Sequence, residues 1–287
     1  MSEAPAEPAR TSPVPGRPAR GPGDDRPAGT AGPRELAVRR FTLAPGVHAA
    51  FTGRRGGVSR PPYDTLNMST GSGDGEEAVA RNRELVATAC GLTPDRMTWM
   101  RQVHGADVGR VPDPGRSGPG SRAVTEPAPP RDACFTSAPG LALGVLSADC
   151  PAVLLADPEA GIIAAAHSGR PGTALGVVPA LLRAMTGAGA DPARTRAVIG
   201  PAICGRCYEV PEQMRDAVAA AVPGSGCLTR AGTPGLDLRA GIAGQLAAAG
   251  VREVRVDDRC TAEDRDLYSY RRDGRTGRFA GLIWLAP

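Results

Sequence analysis

Residues 152–167 read AVLLADPEAGIIAAAH, two short and almost wholly apolar runs around the turn signal Asp157-Pro158-Glu159-Ala160-Gly161. Runs of this length bounded by turn residues suit strands covered on both faces, so other layers must stack on each side of them. LALGVLSA, just upstream, has the same character. Cys150 opens the first of the paired runs and His167 closes the second, and their midpoint falls inside the turn. An antiparallel hairpin would bring residues 150 and 167 side by side at its open end, within cross-strand reach. Composition leaves open the parallel or antiparallel order of the other strands.

A third metal-binding side chain, His104, ends the predicted strand MTWMRQVH where Gly105 stops it, in a chain with only three histidines and seven cysteines. Taken singly, a cysteine is most often a small buried hydrophobe and a histidine a satisfied polar residue. Together, His104, Cys150 and His167 make a His2Cys set with a fourth position open. That pattern belongs to a catalytic zinc, which lowers the pKa of its water to roughly 7, rather than to a closed structural site.

At 287 residues the chain can bury one large core. Residues 1–34, rich in Pro, Gly, Ala and Arg and without an apolar run, are expected to be a disordered extension, and residues 35–287 one domain. No leader-like or membrane-length apolar stretch is seen, which argues against secretion or membrane spanning. The odd number of cysteines, at spacings that match no secreted scaffold, points to reduced thiols in a cytoplasm. All 34 basic residues are Arg, but a net charge of +4 and few aromatics (two Trp, four Tyr, four Phe) argue against nucleic-acid binding.

VRRFTLAPGVHAAFTGR reads as strands around a Pro45-Gly46 turn, followed by a helix capped by Asp74 and stopped by Gly91. Residues 111–131 are a Pro/Gly-rich loop that could serve as a lid. A helix from Gly172 to Met185 would place a positive helix end near the three ligands. ARTRAVIG, VREVRVDD and RFAGLIWLA read as strands, and PEQMRDAVAAAV and LDLRAGIAGQLAAAG as amphipathic helices.

Seven words stand in order along the chain: GRRGGVSRPPYDTLNM, GDGEEAVARNRELV, RQVHGADV, ADCPAVLLADP, AAAHSGRPG, IGPAICGRCYEV and CTAEDRDLYSYRRDGRTGR. In this the chain resembles the YfiH family, also called laccase-domain or multicopper polyphenol oxidase, from about Phe51 to Leu285. The resemblance implies an α/β fold of mixed α+β type, a single domain of mixed β-sheets sandwiched by helices. It implies purine nucleoside phosphorylase and adenosine deaminase chemistry, and carries the family's zinc ligands onto His104, Cys150 and His167. One word departs: the family's HAGWRG reads HSGRPG, so Arg170 takes the tryptophan position and Pro171 the arginine's. That bears on substrate preference more than on metal binding.

The expected activity is zinc-dependent phosphorolysis of adenosine, inosine, guanosine and S-methyl-5′-thioadenosine, plus hydrolytic deamination of adenosine, with nucleosides and phosphate as small-molecule partners. The HxE and PCxxC signature of other zinc deaminases is absent, so a proton carrier must lie elsewhere. Asp149 and Tyr270 are candidates by position. Arg54, Arg271, Arg272 and Arg278 stand in Gly-rich or turn-rich family words, where a guanidinium fork and backbone amides can hold phosphate. Asn67 and Cys260 join the expected substrate set through the resemblance alone, as does Arg170. Cys204-Gly-Arg-Cys207 is a lone CxxC, weak as a metal site without a second pair. The alternatives are a copper polyphenol oxidase with Met97 or Met100 as axial ligand, a metal-free hydrolase using Cys150 and His167, and a non-catalytic zinc-binding protein. Three histidines cannot ligate the several coppers of laccase chemistry.

Overall fold

The computed structural model describes residues 35–113 and 129–287. The expected extension at residues 1–34 lies outside the described residues, as does most of the expected lid loop.

The elements run in the order β1 (Val38–Ala44), β2 (Val47–Thr52), α1 (Glu76–Cys90), β3 (Met97–Trp99), β4 (Val108–Arg110), β5 (Ala133–Thr136) and β6 (Ala142–Ser147). Then come β7 (Ala152–Asp157), β8 (Ile162–His167), α2 (Arg170–Ala174), α3 (Val177–Gly187), β9 (Arg196–Ile199) and α4 (Glu212–Ala221). The chain closes with β10 (Gly226–Leu228), β11 (Pro234–Leu236), α5 (Leu238–Ala248), β12 (Glu253–Val256), α6 (Tyr270–Asp273) and β13 (Phe279–Leu285). One sheet has the order β1-β2-β13-β6-β3 and a second β12-β9-β7-β8-β5-β4, with β10-β11 a separate ribbon. Both large sheets are mixed: β3 lies parallel to β6, and β12 parallel to β9, among antiparallel neighbours.

The apolar runs have the double covering that their composition implies. Alternate residues of β7 enter different cores: Ala152, Leu154 and Ala156 pack with Phe51, Leu143 and Ile283 between the two sheets. Val153 and Leu155 pack with Leu181 and Met185 of α3 and Ile242 of α5 on the outer face. On the far side of the first sheet, Ala50, Leu282 and Trp284 meet Val86 and Ala87 of α1. The molecule is thus helix, sheet, sheet, helix in section, the mixed α/β sandwich that the sequence implies. Each fully buried Leu, Ile or Val contributes roughly 1.5–3 kcal/mol, which fixes the β7–β8 hairpin firmly in the centre.

Three local expectations need correction. The N-cap of α1 is Gly75, not Asp74, whose carboxylate instead accepts from Ser59 Oγ and Asn67 Nδ2. The helix expected from Gly172 to Met185 is two: α2 ends near Leu175, Gly176 turns the chain at φ 77°, and α3 begins at Val177. Only the five-residue α2 starts beside His167. Finally, the strand expected to carry His104 ends at Trp99, and the histidine stands in the loop beyond it.

Candidate metal centre and cleft

The hairpin register sets the site. Ala152, not Cys150, lies opposite His167. Cys150 sits two residues before β7, after a sharp turn in which Asp149 takes φ 105°. His104 also has a positive φ, 62°. Such backbone costs a non-glycine residue about 1–3 kcal/mol and gathers at functional sites. The two turns bring His104 and Cys150 from separate loops to His167 at the end of β8. The ligand atoms of His104, Cys150 and His167 all lie within 4.8 Å of one another. Cys150 Sγ is 3.9 Å from His104 Nε2, and the two imidazoles meet edge to face at 4.7 Å. Gly169 permits this closeness, because a Cβ there would stand 2.8 Å from His104 Cδ2 and 3.0 Å from Cys150 Sγ.

Asp132, fully buried ahead of β5, organises the trio. Its carboxylate accepts from the backbone N–H of Val103, His104 and Gly105 at 3.0, 3.0 and 2.7 Å. It also contacts His167 Nδ1 at 2.8 Å, leaving Nε2 of that ring for a metal. Burial by itself would raise the Asp132 carboxyl, but the hydrogen bonds from His167, Gly105 and Val103 bring it below the ordinary carboxylate range. Burial likewise opposes ionisation of Cys150, yet His167 and His104 outweigh it and bring the thiol down to about 6. His167 is raised to about 9, burial being overcome by Cys150 and Asp132. Two nitrogens and a polarised thiolate, oriented by a buried carboxylate and with His104 exposed on one side, fit a three-ligand metal with an open position.

The trio lines a cleft of about 2120 Å³ together with Asp149, Arg170, Tyr208, Tyr270, Arg271 and Arg278. That exceeds the usual 300–1,000 Å³ of a ligand pocket. The Arg271 guanidinium lies 4.9 Å above the Tyr208 ring and that of Arg278 5.9 Å from the Tyr270 ring. Burial pulls Arg278 below its ordinary pKa, partly offset by Cys150 and Asp149.

Asp149 lines the cleft, but its Oδ1 accepts from Thr261 Oγ1 and Ser269 Oγ at 2.6 and 2.7 Å, and its Oδ2 from Arg271 N at 2.7 Å. It ties the 269–271 segment to the cysteine turn. Tyr270, 61% exposed, keeps its ring at the cleft.

Arg54, Asn67 and Cys260, expected at the substrate or phosphate, do not line this cleft. Arg54 spends its guanidinium on Asp64 and Asp273 and covers the Tyr268 ring. Asn67 is fully buried, donating to Ser69 O, Ser72 Oγ and Asp74 and accepting from Arg278 N. Cys260 is buried beside Cys204 and Cys207. Arg272, also weighed for phosphate, donates to the carbonyls of Thr261, Asp264 and Leu267.

Three residues were missed. Tyr208 stood inside the word ICGRCYEV. Gln102, inside the word RQVHGADV that carries His104, exchanges two hydrogen bonds with the Leu146 backbone. Asp132 has no local signal at all. The third histidine, His48, lies on β2 with its ring against Trp284, so among the described residues only two histidines meet at this centre.

The family described as multi-copper polyphenol oxidoreductase laccase matches residues 48–286. The chain is 53% identical over 240 residues to a purine nucleoside phosphorylase of Streptomyces coelicolor, covering 84% of this chain and 96% of that one. A purine nucleoside phosphorylase of Mycobacterium bovis is 47% identical over 257 residues, covering 90% and 96%. Among solved structures, YlmD from Geobacillus stearothermophilus superposes with a TM-score of 0.78 at 32% identity, covering 86% of this chain and 94% of that one. A Neisseria meningitidis protein gives a TM-score of 0.75 at 34% identity, covering 88% and 99%.

Proposed function

This chain belongs to the multi-copper polyphenol oxidoreductase laccase family, and on that premise we propose that it is a zinc-dependent purine nucleoside phosphorylase. The observation that carries this reading is one cleft lined by both a His2Cys trio and Arg170, Arg271 and Arg278. Relatives named purine nucleoside phosphorylase over nearly their whole length support it. So does the ligand count, because two histidines at the centre do not supply a multicopper set.

Phosphorolysis breaks the bond between ribose C1′ and purine N9 and forms one from C1′ to a phosphate oxygen. The arginines hold the attacking phosphate dianion, for which a planar bidentate fork is suited. In this reading the Tyr208 ring offers an apolar surface beside it, and the exposed Tyr270 hydroxyl passes a proton to the departing base. Asp149 acts one step back, fixing the backbone of Arg271. Asp132 holds His167 and the His104 loop. Zinc held by the trio would supply Lewis acidity and an activated water near neutral pH.

Adenosine, inosine, guanosine and S-methyl-5′-thioadenosine are the substrates of this reading, with adenosine deamination as a second, phosphate-independent reaction at the same centre. The setting is cytoplasmic, where all seven free thiols stay reduced. Incubation with inosine should release hypoxanthine in proportion to phosphate, and with adenosine should yield adenine and inosine. No base release from any of the four nucleosides would refute it.

A second reading has a specific observation in its favour. Cys150, His167 and Asp132 form a thiol, imidazole and carboxylate series with the thiol lowered to about 6, the order of a nucleophile, its base and the group that orients the base. It predicts hydrolytic activity that survives metal removal and is lost on alkylation of Cys150.

A further inference from the structure

The lone CxxC of the sequence is not alone in space. Cys204 and Cys207 stand in the loop after β9, and Cys260 and Glu263 in the segment after β12. An isolated bridge between Ala202 and Cys260 joins the two. The four ligand atoms all lie within 4.8 Å of one another. Cys204 N donates to Cys260 Sγ at 3.4 Å, and Cys207 Sγ contacts Glu263 Oε1 at 3.4 Å.

Each pair has the same local form. Cys207 N bonds Cys204 O at 2.9 Å, and Glu263 N bonds Cys260 O at 3.0 Å. CxxC is therefore matched by CxxE, one tight turn against another, which is how two short segments present four donors to one tetrahedral ion. Zinc–sulfur bonds of about 2.3 Å need sulfur atoms a little under 4 Å apart, so the group closes on an ion with a small contraction. Arg230 pairs with Glu263 from outside, as a partner that orients a ligating carboxylate does.

We infer that Cys204, Cys207, Cys260 and Glu263 form a second, structural zinc site, separate from the cleft. Four protein donors leave no position for water or substrate. Its place in the fold gives it a task. Tyr208 of the cleft follows Cys207, and Thr261, which holds Asp149 Oδ1, follows Cys260. A closed metal here staples together the two segments that present those residues.

The two metal assignments are tested by one set of proteins, purified without chelator and assayed for zinc. Wild type should hold two zinc ions per chain, the His104→Ala/Cys150→Ala/His167→Ala variant one, and Cys207→Ser/Cys260→Ser one. If the latter folds poorly, the triple variant reconstituted with cobalt(II) is read instead. It should show thiolate-to-cobalt charge transfer with tetrahedral visible bands, and Glu263→Gln in that background should shift those bands. Cys227→Ser, whose thiol donates to Gly205 O rather than joining the group, should leave them unchanged. Zinc retained by the triple variant would support this site even if the cleft trio proved metal-free. One zinc in wild type and none in the triple variant would overturn it. So would an intact mass two hydrogens light before reduction, the sign of a disulfide between these cysteines.

Discussion

The His104–Cys150–His167 trio and the Cys204–Cys207–Cys260–Glu263 group are two clusters of soft and borderline donors in one molecule, and they differ in what surrounds them. The trio has three donors, one face on the cleft, and a fully buried carboxylate behind it that fixes both a ring and a loop backbone. The second group has four donors, lies outside the cleft lining, and is backed by the exposed Arg230. Donor type does not separate chemistry from scaffolding here. Donor number, access, and the charge of the supporting partner do: an open position beside arginines suits catalysis, and a closed set between two turns suits a staple.

The widest separation between the clusters should come from the ligands themselves. His104→Ala, Cys150→Ala or His167→Ala should lower base release by at least about a thousandfold, ~4 kcal/mol of barrier, with fold retained by circular dichroism. A fall of less than tenfold would put the trio outside the chemistry. Next is Asp132→Asn, which keeps the shape and removes the charge; a 10–100-fold loss of zinc affinity or kcat is expected, read by competition with a chromogenic chelator.

Arg278→Ala should raise the KM for phosphate roughly tenfold, since a charge-assisted contact carries ~1.5–3 kcal/mol, while adenosine deamination falls less. Arg54→Ala is the contrasting variant. Its guanidinium serves Asp64 and Asp273, so it should cost about 1 kcal/mol in denaturant unfolding and leave phosphate KM unchanged. An equal rise in KM for both would return Arg54 to the substrate. The smallest catalytic effect should come from Cys207→Ser: kcat changes only a few fold, while Tm drops by roughly 4–8 °C for a loss of about 2 kcal/mol.

Much of this was legible in the sequence where the determinant is local. Apolar runs on both sides of a turn specify a doubly covered hairpin, and β7 and β8 realise it with Leu154 and Leu155 in opposite cores. The trio could be read because His104, Cys150 and His167 each stand in a short word beside a strand, although only His167 falls at a strand end. The two-residue offset in register could not, since it depends on the turn at Asp149, whose φ of 105° is held by Thr261 and Ser269 more than a hundred residues away in the chain. The same applies to Arg54, whose guanidinium the carboxylates of Asp64 and Asp273 engage, and to Asp132, an ordinary aspartate until the fold sets it under His167. The CxxC looked unpaired because its partners lie on the strand exit that parallel pairing of β12 with β9 brings alongside.

The central claim is that the cleft trio acts through a bound zinc. Phosphate-dependent release of hypoxanthine from inosine, followed through chelation, zinc restoration and iodoacetamide treatment on a Cys204→Ser/Cys207→Ser background, tests it most directly. The account predicts loss of activity on chelation and recovery with about one equivalent of zinc. It also predicts slow alkylation of Cys150 while zinc is bound, because the thiolate is then a ligand. Full activity in the chelated protein, abolished by rapid alkylation of Cys150 with or without zinc, would contradict it and leave Cys150, His167 and Asp132 as a metal-free nucleophilic series.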